Sequence, residues 1–131
     1  MTELTHVRTP AGVAPGNGYS HVVWGTGRFV AVAGQIALDE DGELVGPGDG
    51  LAQSRQVFAN LRRCLAEAGA TFADVVKLTY YVTDVGILPS VRIARDECVD
   101  TARPPASTAV QVAALVRPDL LLEVEAFAVV G

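Results

Sequence analysis

An α+β fold in a single domain is predicted for residues 1–131. Three observations predict it: segments with the period-two alternation of strands near both ends and in the middle, two stretches with helical spacing between them, and Gly- or Pro-rich breaks where the period changes. The resulting order is strand pair, helix, strand, helix, strand pair, in which one sheet covers two helices. A chain of 131 residues fits one domain, because typical domains hold roughly 100 to 150 residues.

Residues 1–18 are rich in Gly, Pro and Thr and read as a loop-like lead-in. Tyr19–Trp24 and Arg28–Ala33 read as short strands around Gly25-Thr26-Gly27, which predicts a hairpin. Residues 37–50 carry turn chemistry, with Asp39-Glu40-Asp41-Gly42 and Gly46-Pro47-Gly48-Asp49-Gly50. A helix follows: Leu51, Val57, Phe58, Leu61, Cys64, Leu65 and Ala68 recur at helical spacing, Arg55, Arg62, Arg63 and Glu67 fall mostly outside that stripe, and Gly69 is placed to end it. Asp74–Asp84 reads as a strand in which Val76, Leu78, Tyr80 and Val82 alternate with Lys77, Thr79, Tyr81 and Thr83. A second helix is expected over Leu88–Val99, and two strands complete the chain.

The last of these strands, Leu120–Val130, is the most informative. Alternate residues share a face, so Leu121, Glu123, Glu125, Phe127 and Val129 point one way while Leu120, Leu122, Val124, Ala126, Ala128 and Val130 point the other. An ionised carboxylate among such neighbours costs free energy unless water, donors or a counter-charge reach it. The Glu123/Glu125 face is therefore expected to border a wet cleft or a polar network.

Composition excludes several function classes. Half of the residues are apolar and the mean hydropathy is +0.31, which predicts that copies of the chain cover some apolar surface. The longest apolar runs fall well short of the roughly 20 residues of a membrane-spanning helix, and residues 1–10 hold no apolar segment of the secretory type, so the expected location is cytoplasmic. Cys64 and Cys98 lack CxxC spacing and lie in segments that read as helical, which predicts two reduced thiols; no metal and no cofactor are expected. A net charge of −5 opposes nonspecific nucleic-acid binding, and Arg62-Arg63 reads as a solvated helix face.

Four segments together carry a family resemblance: Gly18-Tyr19-Ser20-His21; Ala33-Gly34-Gln35-Ile36 with Asp39 and Gly42; Leu65-Ala66-Glu67-Ala68-Gly69-Ala70 before Asp74-Val75-Val76-Lys77-Leu78-Thr79; and Pro105-Ala106 through Glu123-Val124-Glu125-Ala126. In this order and spacing the chain resembles the reactive-intermediate deaminase (RidA/YjgF) family over nearly its whole length. The resemblance implies a chorismate-mutase-like fold, a mostly antiparallel sheet packed on two helices, and a homotrimer with a central β-barrel and small-molecule clefts between adjacent subunits. It also implies hydrolysis of reactive enamines or imines without metal or cofactor.

Carried over residue by residue, the family's cleft tyrosine falls on Tyr19 and its water-positioning carboxylate on Glu123. The position before the Gly-Gln pair, commonly serine, is Ala33, next to Gly34. The family's asparagine in the second helix falls on Arg92, and the arginine that follows Pro-Ala and grips the substrate carboxylate falls on Ser107. A serine hydroxyl is one neutral donor where a guanidinium offers two parallel charged hydrogen bonds. The expected consequence is a non-standard substrate, with Arg92 as replacement cation and Arg103, four residues ahead of Ser107, as second candidate.

The residues alone leave other readings open. Tyr19 could close the N-terminal loop over the sheet, Glu123 could be a structural carboxylate, and Arg92 could be a solvated helix charge. Glu125 reads as structural, and His21 as a surface or interface histidine. Ser107 has no His and Asp at a recognisable spacing, which argues against a nucleophilic serine. Two functions remain: hydrolytic deamination of an enamine or imine by water held at Glu123, or a non-catalytic trimer that binds a small metabolite. A chaperone-like role through exposed apolar surface is a weaker third.

Overall fold

The computed structural model describes residues 3–131. Six strands and two α-helices follow one another as β1 (Thr5–Val7), β2 (Val22–Trp24), β3 (Arg28–Gln35), α1 (Gly50–Glu67), β4 (Val75–Val82), α2 (Leu88–Asp96), β5 (Ala106–Gln111) and β6 (Leu122–Val130). The main sheet has the order β3-β6-β4-β5, and β1 and β2 form a separate pair. The β3/β6 and β4/β6 pairs are antiparallel and β4/β5 is parallel. The result is an α+β chain with two helices on a mixed sheet.

α1 forms where the periodicity places it. The Asp49 carboxylate accepts a hydrogen bond from the Ala52 amide at 3.0 Å, satisfying one of the amides that a helix start leaves open. Val57, Phe58, Leu61 and Leu65 are buried on one stripe, and Gly69, with a φ of +73°, ends the helix. Its conformation lets the Ala70 amide reach back to the Leu65 carbonyl at 2.9 Å, a turn that disfavours residues with a Cβ. Arg62 and Arg63 are exposed as expected, although Arg62 also lies over the Phe72 ring, 5.3 Å from its centroid.

β6 is the central strand beside β4, and its alternation is that of the sequence. Leu122, Val124, Ala126 and Ala128 are buried in the core, while Glu123, Glu125 and Phe127 face away from the helices and are half-buried. In β4 a bulge between Val75 and Lys77 shifts the register against β6, so Val75, not Val76, joins Leu78, Tyr80 and Val82 in the core.

Several expectations need correction. β2 does not form a hairpin with β3: it pairs with β1, Thr5 opposite Trp24, while β3 pairs with β6, Arg28 opposite Val130. The glycines do allow a chain reversal, but burial decides the partner. Val30 and Val32 of β3 enter the core, and only the central sheet offers them a covered face. The lead-in therefore contains the strand β1, and the strand expected from Tyr19 begins at Val22. α2 ends at Asp96, not Val99, so Cys98 lies beyond the helix. Cys64 and Cys98 are free thiols.

Candidate active site

Tyr19, Arg92 and Ser107 line one cleft of about 440 Å³ on the helix-covered side of the sheet. Three elements converge there. Ser107 lies on β5 opposite Leu78, two residues from Ala109, which pairs with Tyr80, and Arg92 and Arg95 project from α2. The loop before β2 supplies Tyr19: the Ser20 hydroxyl donates to the Pro104 carbonyl at 2.7 Å and the Ser20 amide to the Pro105 carbonyl at 3.2 Å. The loop carrying Tyr19 is thus fastened to the start of the strand that carries Ser107.

The two arginines of α2 hold the same loop. Arg95 is buried at 6% exposure; its Nη1 donates to the Gly18 carbonyl at 2.6 Å, and its Nε and Nη2 donate to Asp96 at 2.9 and 2.6 Å. Arg92 is more exposed and donates to the Asn17 Oδ1 at 3.3 Å. Gly18 has a φ of +80°, and a Cβ there would collide with the Arg92 guanidinium. The positive φ favours glycine at this position, and any side chain there would push the Arg92 guanidinium aside. The Tyr19 and His21 rings meet edge to face at 5.2 Å, and His21 Nε2 bonds the Ala14 carbonyl at 2.9 Å, so His21 is engaged in loop structure.

Among the lining residues that sequence reasoning did not single out are Tyr80 and Arg95. Tyr80 reads in the sequence as one of four core residues of β4, and it is buried. Its hydroxyl, however, makes no hydrogen bond among the described residues. Burial raises its pKa, and the nearby Arg95 guanidinium opposes that rise without reaching hydrogen-bond geometry. The group is a neutral donor. No pattern distinguishes such a tyrosine from a core one, because only the packing of α2 opens the cleft at its hydroxyl.

Glu123 and Gly34 lie elsewhere. They line a second hollow, of about 450 Å³, with Tyr81 and Glu125 on the opposite face of the sheet. The β3/β6 register shifts between Val32 and Gln35, so a bulge places Gly34 against Glu123, and a Cβ at Gly34 would collide with that carboxylate. Tyr81, paired with Glu123 across β4 and β6, donates its hydroxyl to Glu125 at 2.5 Å. That hydrogen bond raises the pKa of Tyr81. Both outcomes expected for this face therefore occur, one for each carboxylate: Glu125 has a polar partner, and Glu123 borders an open hollow without a hydrogen bond or ion pair among the described residues.

The remaining candidates are set apart. Ala33 is exposed on the bulge and lines a shallow groove between β3 and α1, not the Glu123 hollow. Arg103 donates to the Leu4 carbonyl at 2.8 Å and lines a small recess with His6 and Asp100, away from Ser107. It is not a cation of the Ser107 cleft. Among the described residues no group of His, Cys, Asp and Glu could hold a metal ion, and no helix is long and apolar enough to cross a membrane.

Comparison with known proteins identifies the scaffold. The sequence pattern of the family described as Endoribonuclease L-PSP matches residues 9–130. A RutC family protein of Pyrococcus abyssi is 41% identical over 103 residues, covering 78% of this chain and 79% of its own. The 2-iminobutanoate/2-iminopropanoate deaminase of Capra hircus is 32% identical over 129 residues, covering 98% of this chain and 89% of its own. Among solved structures, a protein of the conserved Rid family from Yersinia pestis superposes with a TM-score of 0.82 at 42% identity, covering 95% of this chain and 97% of that one. With a family match over nearly all of its length and the same arrangement of helices on the sheet, the chain belongs to the RidA/YjgF/RutC (L-PSP) family.

Proposed function

We propose that this protein hydrolyses a reactive enamine or imine in a cleft completed by a second copy of the chain, with a substrate preference different from that of the iminoacid deaminases it resembles. The observation that carries this reading is the division of the candidate residues. Tyr19, Arg92 and Ser107 line one face of the sheet, and Glu123 with Gly34 the other. One chain cannot bring Glu123 to the Tyr19 cleft, but adjacent copies in a homotrimer closed around a central barrel can bring one face against the other.

In the complete site, water held by Glu123 adds to the C=N carbon while the π pair moves to nitrogen. Glu123 takes the proton from water and passes it to nitrogen; the hydroxyl proton of the carbinolamine then moves to nitrogen by the same carboxylate, the C–N bond breaks, and a carbonyl and ammonia are left. An enamine enters after tautomerising to the imine. Because the C=N carbon is already electrophilic, positioning and one general base suffice, the latter contributing about 100 to 10,000-fold. The resemblance puts the anchoring arginine at Ser107, and Arg92 in the same cleft supplies a guanidinium from α2 instead.

Ammonia release from a panel of freshly generated imines tests the reading. Wild type should turn over at least one of them with or without chelator, and Glu123→Gln should lose about 100-fold or more while staying folded. No turnover of any imine, together with saturable binding of carbonyl analogues, would favour the non-catalytic metabolite-binding trimer, which the serine at position 107 also accommodates.

A further inference from the structure

The Tyr80 hydroxyl is a buried polar group of the cleft that the proposed chemistry leaves unused. Tyr80 is only 6% exposed, its hydroxyl has no hydrogen-bond partner among the described residues, and it lines the cleft. A buried donor without an acceptor costs free energy that an apolar residue of the same shape would avoid. Its surroundings define what would complete it. Arg95 beside it is itself buried and held by the Gly18 carbonyl and Asp96, so a fixed guanidinium sits next to the hydroxyl. Arg92 is a second cation on the wall; Asp96 pairs with both arginines, at 4.0 Å from Arg92 and 2.6 Å from Arg95, but does not itself line the cleft, so the lining groups carry more positive than negative charge. An oxygen acceptor bearing negative charge matches both features.

We propose that Tyr80 determines the ligand class of this cleft, its hydroxyl donating to a carboxylate or comparable oxyanion at the end of the ligand remote from the C=N carbon. This inference rests on the reading above, in which Glu123 of a second copy closes the mouth. The reacting carbon then sits at the mouth and the far end at the floor, where β4 carries Tyr80. The substrate class is a small imine or enamine with a terminal acid group. A plain alkyl end leaves the donor unmatched, and sites built around a buried donor reject such analogues far more strongly than an apolar pocket rejects an extra methylene.

The test is a binding titration of the full-length protein with two ketone product analogues of the same shape: levulinate, which ends in a carboxylate, and isoamyl methyl ketone, which ends in an isopropyl group. Wild type should prefer levulinate by about tenfold or more, the scale of one charge-assisted hydrogen bond. Tyr80→Phe, with its melting temperature retained, should lower that preference several-fold and leave only the part supplied by the Arg92 and Arg95 charges, since it removes only the donor. Levulinamide, an acceptor without charge, should bind wild type between the two. Equal binding of levulinate and the ketone by wild type would overturn the proposal, a result that needs no variant to fold. An undiminished preference in Tyr80→Phe would also overturn it. Ammonia assays separate the two readings: preference without turnover leaves the inference standing and removes the enzyme, whereas turnover without preference removes the inference alone.

Discussion

Ser107 shows how one residue shapes both the cleft and its chemistry. It lies on β5 facing the same cleft as Arg92, and the resemblance puts a carboxylate-gripping arginine at its position. If that exchange excludes simple α-imino acids, Ser107→Arg should raise kcat/KM toward iminoalanine by about tenfold or more, the scale of one charge-assisted contact. Adding Glu123→Gln should cancel the gain. Fast wild-type turnover of iminoalanine would mean that Arg92 already anchors the carboxylate. Part of the residue-scale reading was legible in the chain: Tyr19 and Ser107 were marked by their neighbours in the motifs, Arg92 by the family position it occupies in the second helix, and the three share a cleft. Tyr80 and Arg95 were not marked, because a strand core position and a helix charge acquire a role there only through packing.

Among the elements, α1 is the one whose apolar stripe and terminating Gly69 were both legible in the sequence, and the structure adds the Asp49 cap. It also carries an unmarked polar clamp. Gln53 is completely buried; its Nε2 donates to the Gly46 and Asp119 carbonyls, each at 3.1 Å, and its Oε1 accepts from the Leu121 amide at 2.9 Å. One side chain thereby joins the turn before α1 to the start of β6. Gln53→Ala removes three hydrogen bonds and orphans backbone groups, so it should destabilise the fold by at least about 2 kcal/mol in denaturant unfolding. A change within about 0.5 kcal/mol would show that water replaces the clamp freely. The mistaken β2/β3 hairpin belongs to this scale too. A Gly-Thr-Gly segment specifies that the chain can turn, and the sheet's demand for buried partners specified with what.

At the scale of the whole molecule, the sheet face away from the helices is uncovered in the single chain. Phe29 is 64% exposed on it, its ring beside that of Phe127 with 5.6 Å between centroids, and Trp24 of the separate β1/β2 pair is 52% exposed. Light scattering at micromolar concentration should give three times the 13.7 kDa chain mass, and Phe29→Lys should shift the population toward monomer, because a charge would be buried in the closed assembly. A monomer mass for wild type would remove the shared site. The sequence by itself determined the α+β order, α1, β4 and β6, the inward stripe of β6 and the family. Those properties follow from local periodicity and from motif order, which a linear chain carries explicitly. Tertiary structure alone decided that β3 pairs with β6, that Arg103 stays out of the Ser107 cleft while Arg95 and Tyr80 enter it, and that Glu123 faces away from Tyr19. Each of these depends on which distant segments share a layer, and that is settled by the free energy of burying the whole apolar surface at once.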